Sequence, residues 1–272
     1  MRDILVLSHT HTSFGSEVDV AARLSTLFHA QLTGLFVTEP SDPVTLDPSL
    51  RALIELNMEK LRKDAAGANG KFRAYVRKRG CATAHWQVAS GSLLETVAQI
   101  ACWHDLVVVR RDDVFPSNSV SGIGRLLLGL GTPTLVVPQS RRGPIPFERV
   151  AIATNDSPES LRALRAAMPL IAAAQSVVLW RADTHGATAD AKETGATHFS
   201  ALSYLARHGI NVDERPPSTG LSGDELIDAA EDAKADLLVM GAYGRSRVSE
   251  WVLGGATRSA LQRCPMPLLM AH

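Results

Sequence analysis

Aromatic side chains are scarce in this chain: Phe, Tyr and Trp make up only 5% of its 272 residues, against 45% hydrophobic residues in all. The core of a soluble globular protein of this composition has to be built from Ala, Val, Leu and Ile. Neither sign of charge is in excess, since Lys plus Arg and Asp plus Glu each number 28 and the pI is near 7.1. Without a global positive field, neither a nucleic acid nor an anionic membrane is expected as a partner. Cysteines are few, and Cys81, Cys102 and Cys264 are far apart, odd in number and without a CxxC pair. That pattern excludes a disulfide framework and a zinc site, and leaves three small core or helix residues. Long apolar runs are missing too. The N-terminal MRDILVLSHTHTS turns polar after ILVL, too soon for a signal-peptide core or a membrane span, so a cytoplasmic location is expected. There is no GxSxG elbow and no GxxxxGK[ST], which removes the serine-hydrolase and P-loop readings. His9 and His11 alternate along an extended segment with no third ligand near them, and no metal site is assigned.

What is present is a plan written twice. The stretch VPQSRRGPIPFERV, residues 137–150, holds three prolines, a glycine and the pair Arg141 and Arg142 between two apolar runs, as a linker does. Beyond it, RVAIAT reads as a buried strand, SPESLRALRAAMPLIAAA as a helix with Leu161, Leu164, Met168 and Ile171 on one face, and SVVLW as a strand. Pro169 predicts a kink or an early end to that helix. ATHFSALSYLARHG then reads as a helix closing on Gly209, INVDERP as a strand, and SGDELIDAAEDAK as a helix capped by Ser222 and Glu225. ADLLVMGAYG is a strand, a glycine-rich stretch leads into a helix, and PLLMAH is the last strand. The first side follows the same order, from RDILVLS to TLVVP, with ATAHWQV as its third strand. Near-continuous apolar strands alternating with helices imply parallel sheets covered on both faces by right-handed crossovers. Two doubly wound α/β domains in tandem are expected, over residues 1–140 and 147–272.

In such sheets a ligand sits beyond the carboxyl ends of the strands, where strand order reverses. If the first and fourth strands of the second half are neighbours, the loop carrying Asn155, Asp156 and Ser157 faces the loop carrying Gly241 and Gly244. Amides around Gly254, Gly255, Ala256 and Thr257 then open the last helix. A polyanion suits that arrangement without any lysine, because main-chain N–H groups and the helix dipole both favour negative charge. The glycines also have a steric reading, as positions where the chain turns tightly or approaches another group.

The order of elements, NDSPESLRAL after the first strand and GAYGRSRVSEWVLGG after the fourth resemble the universal stress protein family in a tandem two-domain form. Nucleotide-binding members of that family carry glycine, two residues, glycine, nine residues, glycine, then Ser or Thr. Gly241, Gly244 and Gly254 match that spacing, whereas Gly255 stands where the hydroxyl residue is usual, with Thr257 as a partial substitute. Asn155 stands where binding members have Asp, and Asp156 where glycine is usual. The resemblance implies a Rossmann-like, adenine nucleotide alpha hydrolase-like fold and a site for ATP or another adenine nucleotide, with Mg. Its residues would be Asn155, Asp156, Arg181, Met240, Gly241, Tyr243, Gly244, Gly254, Gly255, Ala256 and Thr257, with adenine near Arg181 and with Met240 and Tyr243 lining the crevice. It also implies a stress-linked binding or signalling module, not a defined metabolic reaction, and no catalytic residue is assigned. In the first half Arg110 and Asp113 take the first two glycine positions, Asp112 adds a second carboxylate, and Ser8 takes the place of Asn155, so no nucleotide is expected there. The two halves are expected to pair through TLVVP and PLLMAH as an intramolecular pseudo-dimer, with a homodimer and an unidentified protein as further partners. Two other readings stand beside this one: an interaction scaffold that never binds nucleotide, and slow ATP hydrolysis or nucleotidyl transfer in the same crevice.

Overall fold

A computed structural model describes residues 1–39, 48–111, 120–139, 143–182, 200–218, 222–242 and 255–272. The first half runs β1 (Asp3–Leu7), α1 (Ser16–Phe28), β2 (Gln31–Thr38), α2 (Pro48–Gly67), α3 (Asn69–Arg77), β3 (Ala84–Ser90), α4 (Leu93–Ala101), β4 (Leu106–Arg110), α5 (Val120–Leu130) and β5 (Thr134–Val137). The second runs β6 (Arg149–Thr154), α6 (Pro158–Ala173), β7 (Ser176–Ala182), α7 (Ala201–Arg207), β8 (Asp213–Ser218), α8 (Gly223–Asp232), β9 (Leu237–Gly241), α9 (Gly255–Arg263) and β10 (Leu268–Ala271). Among the described residues no helix is long and apolar enough to cross a membrane.

The strands form one sheet of ten in the order β3-β2-β1-β4-β5-β10-β9-β6-β7-β8. Each half contributes a doubly wound parallel set in which the first and fourth strands are neighbours. The halves join where β5 meets β10 antiparallel, with Leu268 opposite Val136, Leu269 opposite Leu135 and Met270 opposite Thr134. Across the same seam the Arg111 guanidinium donates to the Cys264 carbonyl at 2.9 Å.

The central strands are apolar on both faces because both faces are covered. Ile4, Leu5 and Val6 of β1 and Leu106 to Val109 of β4 are all fully buried. Helices α1, α3, α6 and α7 close one face and α4, α5, α8 and α9 the other, and each core layer runs through both halves. Burial of one such Val, Leu or Ile side chain stabilises the fold by about 1.5–3 kcal/mol. The residues read as a linker take part: Ile145 and Phe147 are buried in the first of these layers. Phe147 does so at φ 56, in the left-handed region that bulky residues rarely adopt. Arg141 and Arg142 lie outside the described residues.

Several expected boundaries move. Pro169 does not end α6, which continues to Ala173. Proline lacks only its own N–H, so the ladder resumes beyond it. Helix α7 begins at Ala201 because Ser200 caps it, its side chain accepting from the Ser203 N–H at 3.1 Å, and residues 196–199, expected to begin it, lie outside the described residues. The strands expected over 210–216 and 82–88 start later, at Asp213 and Ala84. Both are edge strands, where one partner alone sets the register. The Ser222 and Glu225 box stands as read, with reciprocal bonds of 3.3 and 2.7 Å. Cys81 and Cys264 are buried, whereas Cys102 is exposed at the end of α4.

One carboxylate in each half clamps the start of the first strand to the fourth. Asp236 accepts from the N–H groups of Glu148 and Arg149 at 2.9 and 3.1 Å, and Asp105 accepts from those of Arg2 and Asp3. The Arg2 N–H, with help from that of Asp3, holds the Asp105 carboxyl below the usual carboxylate range against the opposing effect of burial.

A lowered folded-state pKa stabilises the fold fully above the unfolded value of about 3.9 and loses that contribution as pH falls through the folded value. The stability gap between the parent chain and Asp105→Asn should therefore be constant near neutral pH and shrink as pH falls below about 4. Urea unfolding at several pH values measures it, and a gap independent of pH would contradict this role. The seam makes a second prediction. Either half expressed alone exposes an apolar edge strand, Leu135–Val137 or Leu268–Met270, and should dimerise or precipitate. Sedimentation of each half as a stable monomer would show that the seam is dispensable.

Candidate functional site

At the crest of the second half, β6 ends and the chain turns directly into α6. The Thr154 hydroxyl accepts from the Asp156 N–H at 3.0 Å and lies 3.0 Å from the Ser160 hydroxyl. Asn155 Oδ1 accepts from the Ser157 N–H at 3.2 Å, and the Ser157 hydroxyl caps α6 by accepting from the Ser160 N–H at 3.2 Å. Asn155, expected to offer hydrogen bonds to a ribose, thus commits its side-chain oxygen to the turn, while its amide N–H₂ has no partner among the described residues. Asp156 adopts φ 53, a left-handed conformation that favours glycine and that Asp tolerates better than most residues. Its side chain reaches sideways, with Oδ1 3.4 Å from the Ala201 N–H of α7. Arg181, the penultimate residue of β7, lies opposite Thr154 and is half-buried.

β9 reaches the same crest, and its last residue explains one of the glycines. A Cβ on Gly241 would stand 2.5 Å from the Ser160 nitrogen and 2.9 Å from the Glu159 carbonyl carbon, so the first turn of α6 occupies the space a side chain would need. For Gly241 the steric reading is sufficient. Gly255 differs: it is exposed at the start of α9, and among the described residues a Cβ there would meet nothing within 4 Å. The first N–H groups of α9 have no partner within their own helix and carry the positive end of its dipole. Ala256 packs beside α8, since a Cβ on Gly223 would stand 2.6 Å from its Cα.

Two expected residues do not line the crevice by their side chains. Met240 is 6% exposed and packs in the core beneath α8 and α9, because side chains alternate across a strand and its turn falls inward. Thr257 is 5% exposed and buried in the first turns of α9, so it does not stand in for the hydroxyl that Gly255 lacks. Tyr243, Gly244 and Gly254 lie outside the described residues. Glu159 is a residue the sequence reading passed over. Its Oε1 is 3.7 Å from the Arg162 guanidinium, while Oε2 is buried without a hydrogen-bond partner among the described residues. The signal was present in the duplication, because Glu17 holds the same second position of α1.

The first-half crest is built on the same frame and filled. Register places Ile4 against Leu106 as it places Val150 against Leu237, so Ser8 corresponds to Thr154 and His9, not Ser8, to Asn155. The longer loop between β1 and α1 hid that offset. Arg110 stands where Gly241 does; its guanidinium is 4.0 Å from the fully buried Glu17 carboxylate and 3.0 Å from a His9 ring nitrogen. Beside them Phe14 packs edge-on to Phe72 and Trp86, in room that Gly34 provides. Tyr75 closes the group, donating to Asp19 at 2.8 Å; burial first, and then that bond, push its hydroxyl up to about 12. Asp112 and Asp113 lie outside the described residues.

Residues 146–272 match the model of the universal stress protein family. Universal stress protein Rv1636 of Mycobacterium tuberculosis is 27% identical over 142 residues, covering 46% of this chain and 97% of that protein. Universal stress protein MJ0577 of Methanocaldococcus jannaschii is 29% identical over 51 residues, 19% of this chain and 32% of its own length. Among solved structures, a universal stress protein from Archaeoglobus fulgidus superposes with a TM-score of 0.66 at 16% identity, covering 99% of this chain and 97% of that one. A protein of unknown function from Pseudomonas aeruginosa does so with a TM-score of 0.57 at 18% identity, covering 99% and 92%. The fold likeness thus extends over the whole chain, and the match to the universal stress protein family model over its second half.

Proposed function

We propose that the second half binds an adenine nucleotide, ATP or a close analogue, and that the chain acts as a stress-linked binding or signalling module. The observation that carries this reading is the open, exposed Gly255 at the start of α9, lying one residue beyond the spaced glycines Gly241, Gly244 and Gly254. The free amides there suit phosphate oxygens. Asn155 and Arg181 stand at the ends of β6 and β7, on the side where ribose and base would lie. A Mg²⁺ ion would arrive with the nucleotide, and the carboxylates of this crest are Asp156 and Glu159. A cytoplasmic setting and a further homodimer belong to the same reading.

A second reading has its own support. Gly241 is explained by packing alone, and Asn155 Oδ1 is held in the turn. A crest used only as an interaction scaffold would look the same at those two positions.

ATP titration by calorimetry separates the two. One site per chain is expected, and a stoichiometry near two would contradict the filled first-half crest. Gly244→Val should abolish binding with the thermal midpoint retained, while Gly255→Ser should tighten it by roughly fivefold, the worth of about 1 kcal/mol of hydrogen bonding. Should Gly244→Val cost only stability and Gly255→Ser change nothing, the scaffold reading stands instead. Gly241→Ala is expected to act through packing, destabilising the fold by about 1–3 kcal/mol because neither Ser160 nor Glu159 can withdraw its backbone. Denaturant unfolding measures this, and an unchanged midpoint would show that α6 yields.

A further inference from the structure

Beside the crest, on the face covered by α6 and α7, lies a cavity of about 140 Å³ lined by Asp156, Leu161, Leu164, Arg165, Ser200, Tyr204 and Arg207. Its walls differ in kind. Leu161 and Leu164 supply an apolar floor from α6, and the Tyr204 ring supplies a flat wall from α7. That ring packs tilted against His208, whose ring centroid is 4.5 Å away. The guanidiniums of Arg165 and Arg207 stand at the mouth, Arg165 lying 5.9 Å from the Tyr204 ring centroid.

Among the described residues the charges at the mouth are not balanced by ion pairs. Three arginines of this half do pair with carboxylates, Arg162 with Glu159, Arg215 with Asp213 and Arg263 with Asp224. Neither Arg165 nor Arg207 forms an ion pair among the described residues. Asp156 is the one carboxylate of the lining, and its Oδ1 is turned to the Ala201 N–H. The lining therefore carries two cationic groups against one anionic group, over an apolar floor.

We propose that this cavity is a binding site for a small organic carboxylate with one aromatic ring or a short branched apolar group. The size fits, since an apolar cavity of about 150 Å³ accepts a benzene ring. The apolar part would lie on Leu161 and Leu164 against Tyr204, and the carboxylate would face the two guanidiniums, whose fork geometry suits carboxylate oxygens. The site adjoins the glycine-lined crevice and does not depend on nucleotide binding there. Asp156 belongs to both, so an occupant of the cavity would touch the residue that forms the β6–α6 turn.

The test uses the full chain, with benzoate and uncharged benzyl alcohol as probes in ligand-observed NMR titrations. Saturable benzoate binding is expected, tighter than that of benzyl alcohol. Replacing both exposed arginines, Arg165→Gln with Arg207→Gln, should weaken benzoate by about tenfold or more and leave benzyl alcohol unchanged. Gly244→Val, which alters the crevice, should leave benzoate affinity as it is. Absence of saturable benzoate binding to the parent chain, equal affinity for the two probes, or an unaltered affinity in the double variant would each overturn the proposal. So would competition between benzoate and ATP for one site, which would put the probe in the crevice.

Discussion

The antiparallel seam between β5 and β10 is the contact on which the rest of the molecule depends. Three facing residue pairs turn two five-stranded sheets into one of ten. Without them Leu135, Val136, Leu268, Leu269 and Met270, all at most 2% exposed, would form bare apolar edges. With them, each core layer continues from one half into the other, and the outer edges fall on β3 and β8. The sequence of β8 holds Pro216 and Pro217, which have no N–H to offer a further strand.

The seam also decides where chemistry can take place. Strands within each half run parallel, and the halves run opposite to each other, so the two crests open at opposite ends of the sheet. Each is therefore shaped by its own loops. On equivalent backbone frames one crest receives Arg110, Glu17 and His9 and is filled by an ion pair and aromatic rings. The other receives Gly241, lets α6 come into contact with β9, and leaves the start of α9 open. A single residue type at the last position of the fourth strand thus marks the difference between them.

The two doubly wound strand sets were legible from apolar periodicity and the duplication, and the joining of the last strands from the family resemblance together with their apolar edges. The Ser222 and Glu225 cap was legible because its chemistry is local. The direction of Met240 was not, because the glycine motif places the chain without saying which face a neighbouring side chain takes. The burial of Phe147 within a proline-rich linker was equally hidden: composition reports the turns but not the core they pass. The equivalence of His9 with Asn155 needed the register, since the loop between β1 and α1 is longer than its counterpart. The cavity at Arg165, Tyr204 and Arg207 joins residues far apart in sequence, and no spacing rule brings α6 and α7 together.

Carrying both partners of the seam in one chain changes how the assembly behaves and diverges. Two separate subunits meet at a rate set by their concentration, and their pairing weakens on dilution. Here the segment between Val137 and Arg149, anchored by Ile145 and Phe147, keeps β5 and β10 at a high effective concentration, so that the pair survives at any dilution. A symmetric dimer must also carry every substitution twice, once at each crest. The fused chain is free of that constraint, and Arg110 beside Gly241 is what such freedom looks like: one crest can be closed while the other stays open.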